Sequence, residues 1–433
     1  MNTMLSSLSQ GLKGQFRVPG DKSISHRAIM LGSLAEGVTQ VSGFLEAEDA
    51  LATLKAFQLM GVDIEQLGEG RLRINGVGLH GLKAPQEDLY VGNSGTSMRL
   101  LSGILAGQKF DSTLTGDHSL TKRPMRRVLD PLSLMGAAVE STDAGTSPLK
   151  IHGGAPLRGI QYKMPMGSAQ VKSCLLLAGL YAEGTTEVIE PAITRDHTER
   201  MLKGFGYSLK TEGNVVAIEG GGALKGMSID VPGDISSAAF FLVAASITPN
   251  SDITLQHVGV NATRTGIIDI LLKMGADIKL LNEKVVGGEK VADIRVKSCQ
   301  LKGIEVPENL VALAIDEFPV IFVAAAYAEG QTIVTGAEEL RVKESDRIQT
   351  MADGLQTLGV DAQATADGMI INGGAVQGGE VESFDDHRIA MAFAVAGLQS
   401  RGAIKINNCE NVATSFPNFV ELATQCGFEL AAK

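Results

Sequence analysis

Six times along this chain, at intervals of roughly 70 residues, a glycine or aspartate with small polar residues leads into an apolar, helix-like run. The copies are GDKSISHRAIMLGSLAEG, GNSGTSMRLLSGILAG, MGSAQVKSCLLLAGLYAEG, PGDISSAAFFLVAASITP, IDEFPVIFVAAAYAEG and FDDHRIAMAFAVAGLQS. That period is longer than those of solenoids. A second phrase follows: an amphipathic stretch that reaches glycine and then a short β-like run, as in LKAFQLMGVDIE, VLDPLSLMGAAVE and IIDILLKMGADIKL. Apolar residues at helical spacing before each glycine suit a C-cap. After five of these come alternating runs with Asn/Gly turns, such as RLRINGVGL and GMIINGGAV, which read as hairpins. Each unit therefore reads strand, helix, strand, helix, strand pair. The fold class is α/β, two domains of three βαβαββ units each. The sixth unit lacks its final strands, and the N-terminal segment QFRV is expected to supply a missing one.

The phrase VPGD occurs at 18–21 and again at 231–234, where one half of the repeat ends and the next begins. One domain is expected to join 1–19 to 234–433, and the other to span 20–233. The crossings would lie near 19–20 and 232–234 and form a natural hinge. The second VPGD has no counterpart of Lys22 or Arg27, so it is expected to supply only packing and capping.

The net charge of −11 points away from nucleic acid. Any bound anion must meet a local group of cations, because the global field opposes it. Cys174, Cys299, Cys409 and Cys426 form no CxxC pair and no metal spacing, as expected of thiols in a reducing compartment. No Cys/His metal site is expected. The N-terminal stretch lacks the apolar core of a signal peptide, and the longest apolar run is too short to span a membrane. The expectation is a cytoplasmic protein.

Lysine and arginine are mildly unfavourable at helix N-termini, yet they gather there. Lys22 and Arg27 open the first helix. Arg195 precedes DHTERML, and Arg123 precedes a proline-led helix start. Arg341, Lys343 and Arg347 lie in LRVKESDRI, and His387 and Arg388 open the helix of the sixth copy. Helix-start amides, hydroxyls such as Ser23, Thr96 and Ser168, the glycine at Gly95 and these cations together suit phosphates and carboxylates. No GxxxxGK[ST] loop is present, so a nucleoside triphosphate is not the indicated ligand.

Two carboxylates stand out as acid/base candidates. Asp316 opens an apolar helix in IDEFP, and Glu344 lies between cations in VKESDR. Two other readings stay open here: an N-cap for Asp316 and a helix-surface ion pair for Glu344. Asp49, in EAEDALATL, reads as a helix cap.

GDKSISHR, GNSGTSMRLL, KRPM, SAQVKS, RVKESDR and DDHR, in that order, resemble the 5-enolpyruvylshikimate-3-phosphate synthase family over about Val18 to Pro417. The resemblance implies two domains that are open when empty and close over substrates. It implies transfer of the enolpyruvyl group of phosphoenolpyruvate to the 5-hydroxyl of shikimate 3-phosphate, with loss of phosphate and no metal or cofactor. By motif match, Lys22, Ser23, Arg27, Ser168, Ala169, Gln170, Thr194, Arg195, Asp316 and Lys343 would meet shikimate 3-phosphate. Lys22, Asn93, Gly95, Thr96, Arg123, Gln170, Arg347 and Arg388 would meet phosphoenolpyruvate. Asp316 would be the base for the hydroxyl, Glu344 would move a proton at the enolpyruvyl carbon, and Lys22 would be a third proton-handling group. The expected assembly is a monomer.

Ser168-Ala169 stands where some members have a serine pair, Leu100 where some have proline, and ATSFP where some have lysine. These features are similar to the family's second sequence class. Glycine at position 95 implies room for glyphosate and at least partial sensitivity to it. Two alternatives remain. One is the UDP-N-acetylglucosamine enolpyruvyl transferase, which generally carries a loop cysteine near the segment equivalent to GDHSLTKRPM; this chain has none there. The other is a non-catalytic, phosphate-binding relative.

Overall fold

The computed structural model describes residues Met1–Lys433. The chain divides into two compact units. A terminal unit joins Met1–Pro19, Pro232–Val285 and Glu289–Lys433. An inner unit spans Gly20–Val231 and includes the hairpin tip Val286–Gly288. Each unit holds three small sheets, one per repeat.

The inner unit's helices are α1 (Lys22–Leu34), α2 (Glu48–Leu59), α3 (Gly95–Ala106), α4 (Arg126–Leu134), α5 (Ala169–Gly179) and α6 (His197–Gly204). The terminal unit's helices are α7 (Ile235–Ile247), α8 (Gly266–Lys273), α9 (Glu308–Val311), α10 (Phe318–Ala326), α11 (Arg347–Thr357), α12 (His387–Ala396) and α13 (Phe419–Cys426). The first helix of each repeat is largely apolar or small, with its few charged side chains, such as Arg27, Arg99 and Lys172, buried against partners, so it is stable only when surrounded. Accordingly α7, α10 and α12 pack on one another inside the terminal unit, and α3 packs against α1 and α5 inside the inner unit. Almost all their residues are buried. The α3–α5 approach depends on Gly103, where a Cβ would lie 2.2 Å from the carbonyl oxygen of Cys174. The second helix of each repeat is shorter or amphipathic and closes over its own sheet.

The two VPGD turns are the same device. A buried valine follows a short strand, proline and glycine make the turn, and aspartate caps the next helix. Asp21 accepts from the amide of Ile24 at 2.9 Å, and Asp234 from that of Ser236 at 2.8 Å. At Gly20 a Cβ would strike the carbonyl of Gly43, so no larger residue fits. Each turn follows a strand of one unit and leads into a helix of the other. Lys13–Phe16, before α1, pairs in parallel with Asp252–Gly259 of the terminal unit. Ser228–Asp230, before α7, pairs in parallel with Ala35–Ser42 of the inner unit. Phe16 packs edge-on to Phe241 of α7, with ring centroids 5.1 Å apart.

This corrects one expectation. The segment containing QFRV completes the fourth repeat's sheet and not the sixth's. The sixth is completed by Thr3–Ser7, inserted antiparallel between Ile404–Asn407 and Glu429–Ala432. The second VPGD also does more than cap. Asp234 lies 3.2 Å from the Arg264 guanidinium, which donates at 2.7 Å to Ser236, and that hydroxyl donates to Glu317. All four side chains are buried, so the second copy carries a buried charge network that its own letters do not announce.

Candidate active site

In the inner unit the predicted residues meet at the starts of α1, α3 and α5. Lys22, the first residue of α1, forms an ion pair with Asp49 in the first turn of α2. The expectation that Asp49 caps its helix is therefore wrong. The N-cap there is Ala47, with no side-chain bond, and the buried Asp49 holds an ammonium instead. His26, one turn along α1, is fully buried against Thr53 and Ser97. Burial first, then Lys22 and Arg27, push its pKa well below the ordinary 6.5. It is a neutral packing residue at physiological pH.

Arg27 is aimed by three acceptors: the carbonyl of Ser23 at 3.0 Å, Thr198 Oγ1 at 2.7 Å and Ser173 Oγ at 2.9 Å. Ser168 caps α5 through the amide of Val171 at 3.4 Å, with Ala169 as the first helical residue. Gln170 bridges two elements. Its Nε2 donates to Thr96 Oγ1 at 3.0 Å, and its Oε1 accepts from Arg99 Nη1 at 2.5 Å. Asn93 donates to Asp117 at 2.7 Å, which ties the GNSGT turn to the segment before Arg123. A Cβ at Gly95 would stand 2.8 Å from Arg123 Nη1 and 3.1 Å from Arg99 Nη1. Two guanidinium groups therefore lie over a glycine at a helix start, which suits an anion. Arg123 does not directly precede a helix led by proline, since α4 begins at Arg126, two residues after Pro124. Thr194 and Arg195 lie half-buried on the loop before α6.

In the terminal unit Arg347, the first residue of α11, is 1% exposed and sits among three carboxylates. Its Nε lies 2.8 Å from Asp386, its Nη2 2.6 Å from Glu344, and its Nη1 3.6 Å from Asp316. Lys343 Nζ lies 3.4 Å from Asp316. Burial would lower the Arg347 pKa, but Asp386, Glu344 and Asp316 raise it above its ordinary value. Burial pushes the Asp386 carboxyl up, and the adjoining Arg347 guanidinium more than offsets this, so Asp386 is held below its ordinary value. Neither of the other readings of the two acid/base candidates holds. The residue before α10 is Glu317, with no side-chain cap bond, so Asp316 is not the cap. The partner of Glu344 is an interior arginine and not a surface one. Arg388 follows at the start of α12, half-buried, its amide donating to Asp386 at 2.9 Å.

Sequence reasoning missed Asp49, Arg99, Asp386 and Arg264. The signal for Asp386 was available: an aspartate two residues before an arginine at the start of an apolar helix. Arg99 lies inside an apolar helical run, a placement that demands a buried partner. For Asp49 and Arg264, no local pattern names the partner.

The family model for EPSP synthase (3-phosphoshikimate 1-carboxyvinyltransferase) matches residues 7–422. The chain is 65% identical to the 3-phosphoshikimate 1-carboxyvinyltransferase of Methylococcus capsulatus, over 97% of this chain and 96% of that protein. It is 66% identical to the protein of the same name from Alkalilimnicola ehrlichii, over 97% and 94%. A solved structure of the EPSP synthase from Acinetobacter baumannii superposes with a TM-score of 0.89 at 59% identity, covering both chains completely.

Proposed function

Because the chain belongs to the EPSP synthase family, we infer that it is the transferase that joins phosphoenolpyruvate to the 5-hydroxyl of shikimate 3-phosphate, and we propose how its residues divide that work. The reaction adds the hydroxyl oxygen to C2 of phosphoenolpyruvate while C3 gains a proton. The tetrahedral intermediate then loses phosphate from C2 and a proton from C3, restoring the double bond. The chemistry needs a base, a proton carrier and cations for two phosphates and a carboxylate.

The single observation that carries the assignment is the Arg347 hub. One buried guanidinium lies 2.6 Å from Glu344 and 3.6 Å from Asp316, and Lys343 approaches the same oxygen of Asp316 at 3.4 Å. We assign Asp316 as the base that takes the 5-hydroxyl proton and Glu344 as the carboxylate that passes a proton to and from C3. Lys22, paired with Asp49, supplies positive charge beside both ligands. Ser23, Arg27, Ser168, Ala169, Gln170, Thr194, Arg195 and Lys343 bind shikimate 3-phosphate. Arg123, Arg388, Gln170 and the Gly95 turn, shaped by Asn93 and Thr96, bind phosphoenolpyruvate. Arg347 acts there through the carboxylates it orders. The relatives support this acceptor over the UDP-N-acetylglucosamine alternative. We further propose a monomer working in the cytoplasm. Four cysteines outside any disulfide, three of them buried, fit a reducing compartment. No helix is long and apolar enough to cross a membrane.

Phosphate release tests the reaction directly. Purified protein with shikimate 3-phosphate and phosphoenolpyruvate is expected to release phosphate, and to release none when either is omitted. Release without the acceptor, or none with both, contradicts the assignment.

Glyphosate is expected to inhibit in competition with phosphoenolpyruvate. A Gly95→Ala variant is expected to need about tenfold more inhibitor, roughly 1.4 kcal/mol of lost binding. The new methyl must displace the Arg123 guanidinium, 2.8 Å from its position. The KM for phosphoenolpyruvate should rise as well, because the same guanidinium serves both. An inhibition curve that does not move on substitution would refute this steric account.

A further inference from the structure

We propose that Lys172 is a positioning residue for the shikimate 3-phosphate pocket. By clamping Glu190 and Glu199 it fixes on one scaffold the loop carrying Arg195, the start of α5 and the hydroxyl pair that aims Arg27. The proposal rests on the ligand assignment given above.

Lys172 lies on α5 and is 1% exposed. An ammonium taken fully out of water costs several kcal/mol unless its donors are satisfied. Its acceptors are Glu190 Oε2 at 2.9 Å, Glu199 Oε1 at 2.7 Å and, at 3.5 Å, the carbonyl of Thr194. Two buried carboxylates share one ammonium. The second oxygen of Glu199 has no hydrogen-bond partner. Such a group is a poor device for stability, because apolar side chains of similar volume are often at least as stable. Its value lies in what it orients.

Two consecutive residues of α5 face two consecutive residues of α6. Lys172 meets Glu199, and next to it Thr198 donates to Ser173 at 2.7 Å. Those same hydroxyls accept the Nε and Nη2 hydrogens of Arg27. The spacing of α5 and α6 therefore sets the direction of the Arg27 guanidinium, and the Lys172–Glu199 pair sets that spacing. On its other side Glu190 Oε1 accepts from the amide of Thr194 at 3.2 Å and from its hydroxyl. Thr194 lies against Gly167, where a Cβ would be 3.3 Å from its Cγ2. The loop before Arg195 is thus pinned beside the residue that precedes Ser168. One ammonium connects three anion-binding elements without contacting the anion.

The test is calorimetric binding of shikimate 3-phosphate to the full chain, together with steady-state kinetics and the melting temperature. Lys172→Met is expected to weaken shikimate 3-phosphate binding about tenfold or more while the KM for phosphoenolpyruvate changes by less than about twofold. Lys172→Arg keeps the charge and both carboxylate contacts and should recover most of the affinity. Undiminished binding by Lys172→Met, or equal losses for the two ligands, would overturn the role. So would failure of Lys172→Arg to restore binding. If Lys172→Met does not fold, Glu199→Gln takes its place, since it keeps Lys172 paired with Glu190. About threefold weaker binding, confined to shikimate 3-phosphate, supports the role, and unchanged binding overturns it. Wild-type protein that binds no shikimate 3-phosphate would instead overturn the site assignment itself.

Discussion

An Asp386→Ala variant is expected to lose roughly 3–5 kcal/mol of folding stability, the usual cost of removing one partner of a buried ion pair. Asp386 is 0% exposed and accepts four hydrogen bonds. Two come from Arg347, at 2.8 and 3.2 Å, one from Ser345 at 3.0 Å and one from the amide of Arg388 at 2.9 Å. Alanine leaves the Arg347 guanidinium buried without its main counter-charge and removes the cap of α12. Against a total of about 5–15 kcal/mol for an ordinary domain, this is a large fraction. Denaturant unfolding measures it, and a loss below about 1 kcal/mol would show that the hub does not depend on Asp386. The pH dependence follows from the same pair. The native pKa of Asp386 lies below the ordinary 3.8, so its stabilisation is complete above 3.8 and is lost as pH falls through the depressed native value. The gap between wild type and Asp386→Asn should therefore stay constant from neutral pH down to about 5. It should close only in stronger acid.

Replacing Asp316 with alanine is expected to lower kcat by about 10²-fold or more, the usual scale for a positioned acid or base. That is about 2.7 kcal/mol on the barrier. Affinity for shikimate 3-phosphate should largely survive, because Ser23, Arg27, Ser168, Ala169, Gln170, Thr194, Arg195 and Lys343, assigned to bind it, all remain. The fold should survive as well. Asp316 is 15% exposed, and Arg347 keeps its closer partners Asp386 and Glu344 when Asp316 is gone. Single-turnover chemistry with saturating substrates separates the two effects. A near-normal rate would remove Asp316 from the role of base, and a collapse of binding with kcat intact would make it a ligand only.

What the sequence disclosed, and what it did not, has a physical pattern. The repeat is legible because the helix that opens each unit must be largely apolar, and runs such as AAFFLVAASI and FPVIFVAAA state that outright. Capping is a local matter, since Asp21, Ser94 and Asp234 act within three residues of themselves. The exchange of edge strands was missed. KGQF and TMLSS are too short to show a period, and their partners lie hundreds of residues away. Smaller separations, still beyond any local pattern, hid the pairing of Lys22 with Asp49, of Arg99 with Gln170 and of Arg264 with Asp234. Lysine at the second position of VKSCLLLAG is a sign that carboxylates must be near, but which ones depends on how α5 and α6 come together.

The sheet that Thr3–Ser7 completes also bears on how the protein is made. The ribosome produces this strand well before its neighbours, Ile404–Asn407 and Glu429–Ala432, which lie hundreds of residues further along the chain. The inner unit, nearly contiguous in sequence, can fold while synthesis continues. The earlier strand must wait, unpaired, while the residues between are made. Its edge is then exposed to other nascent chains, and a polysome crowded with this message is where misassembly would begin.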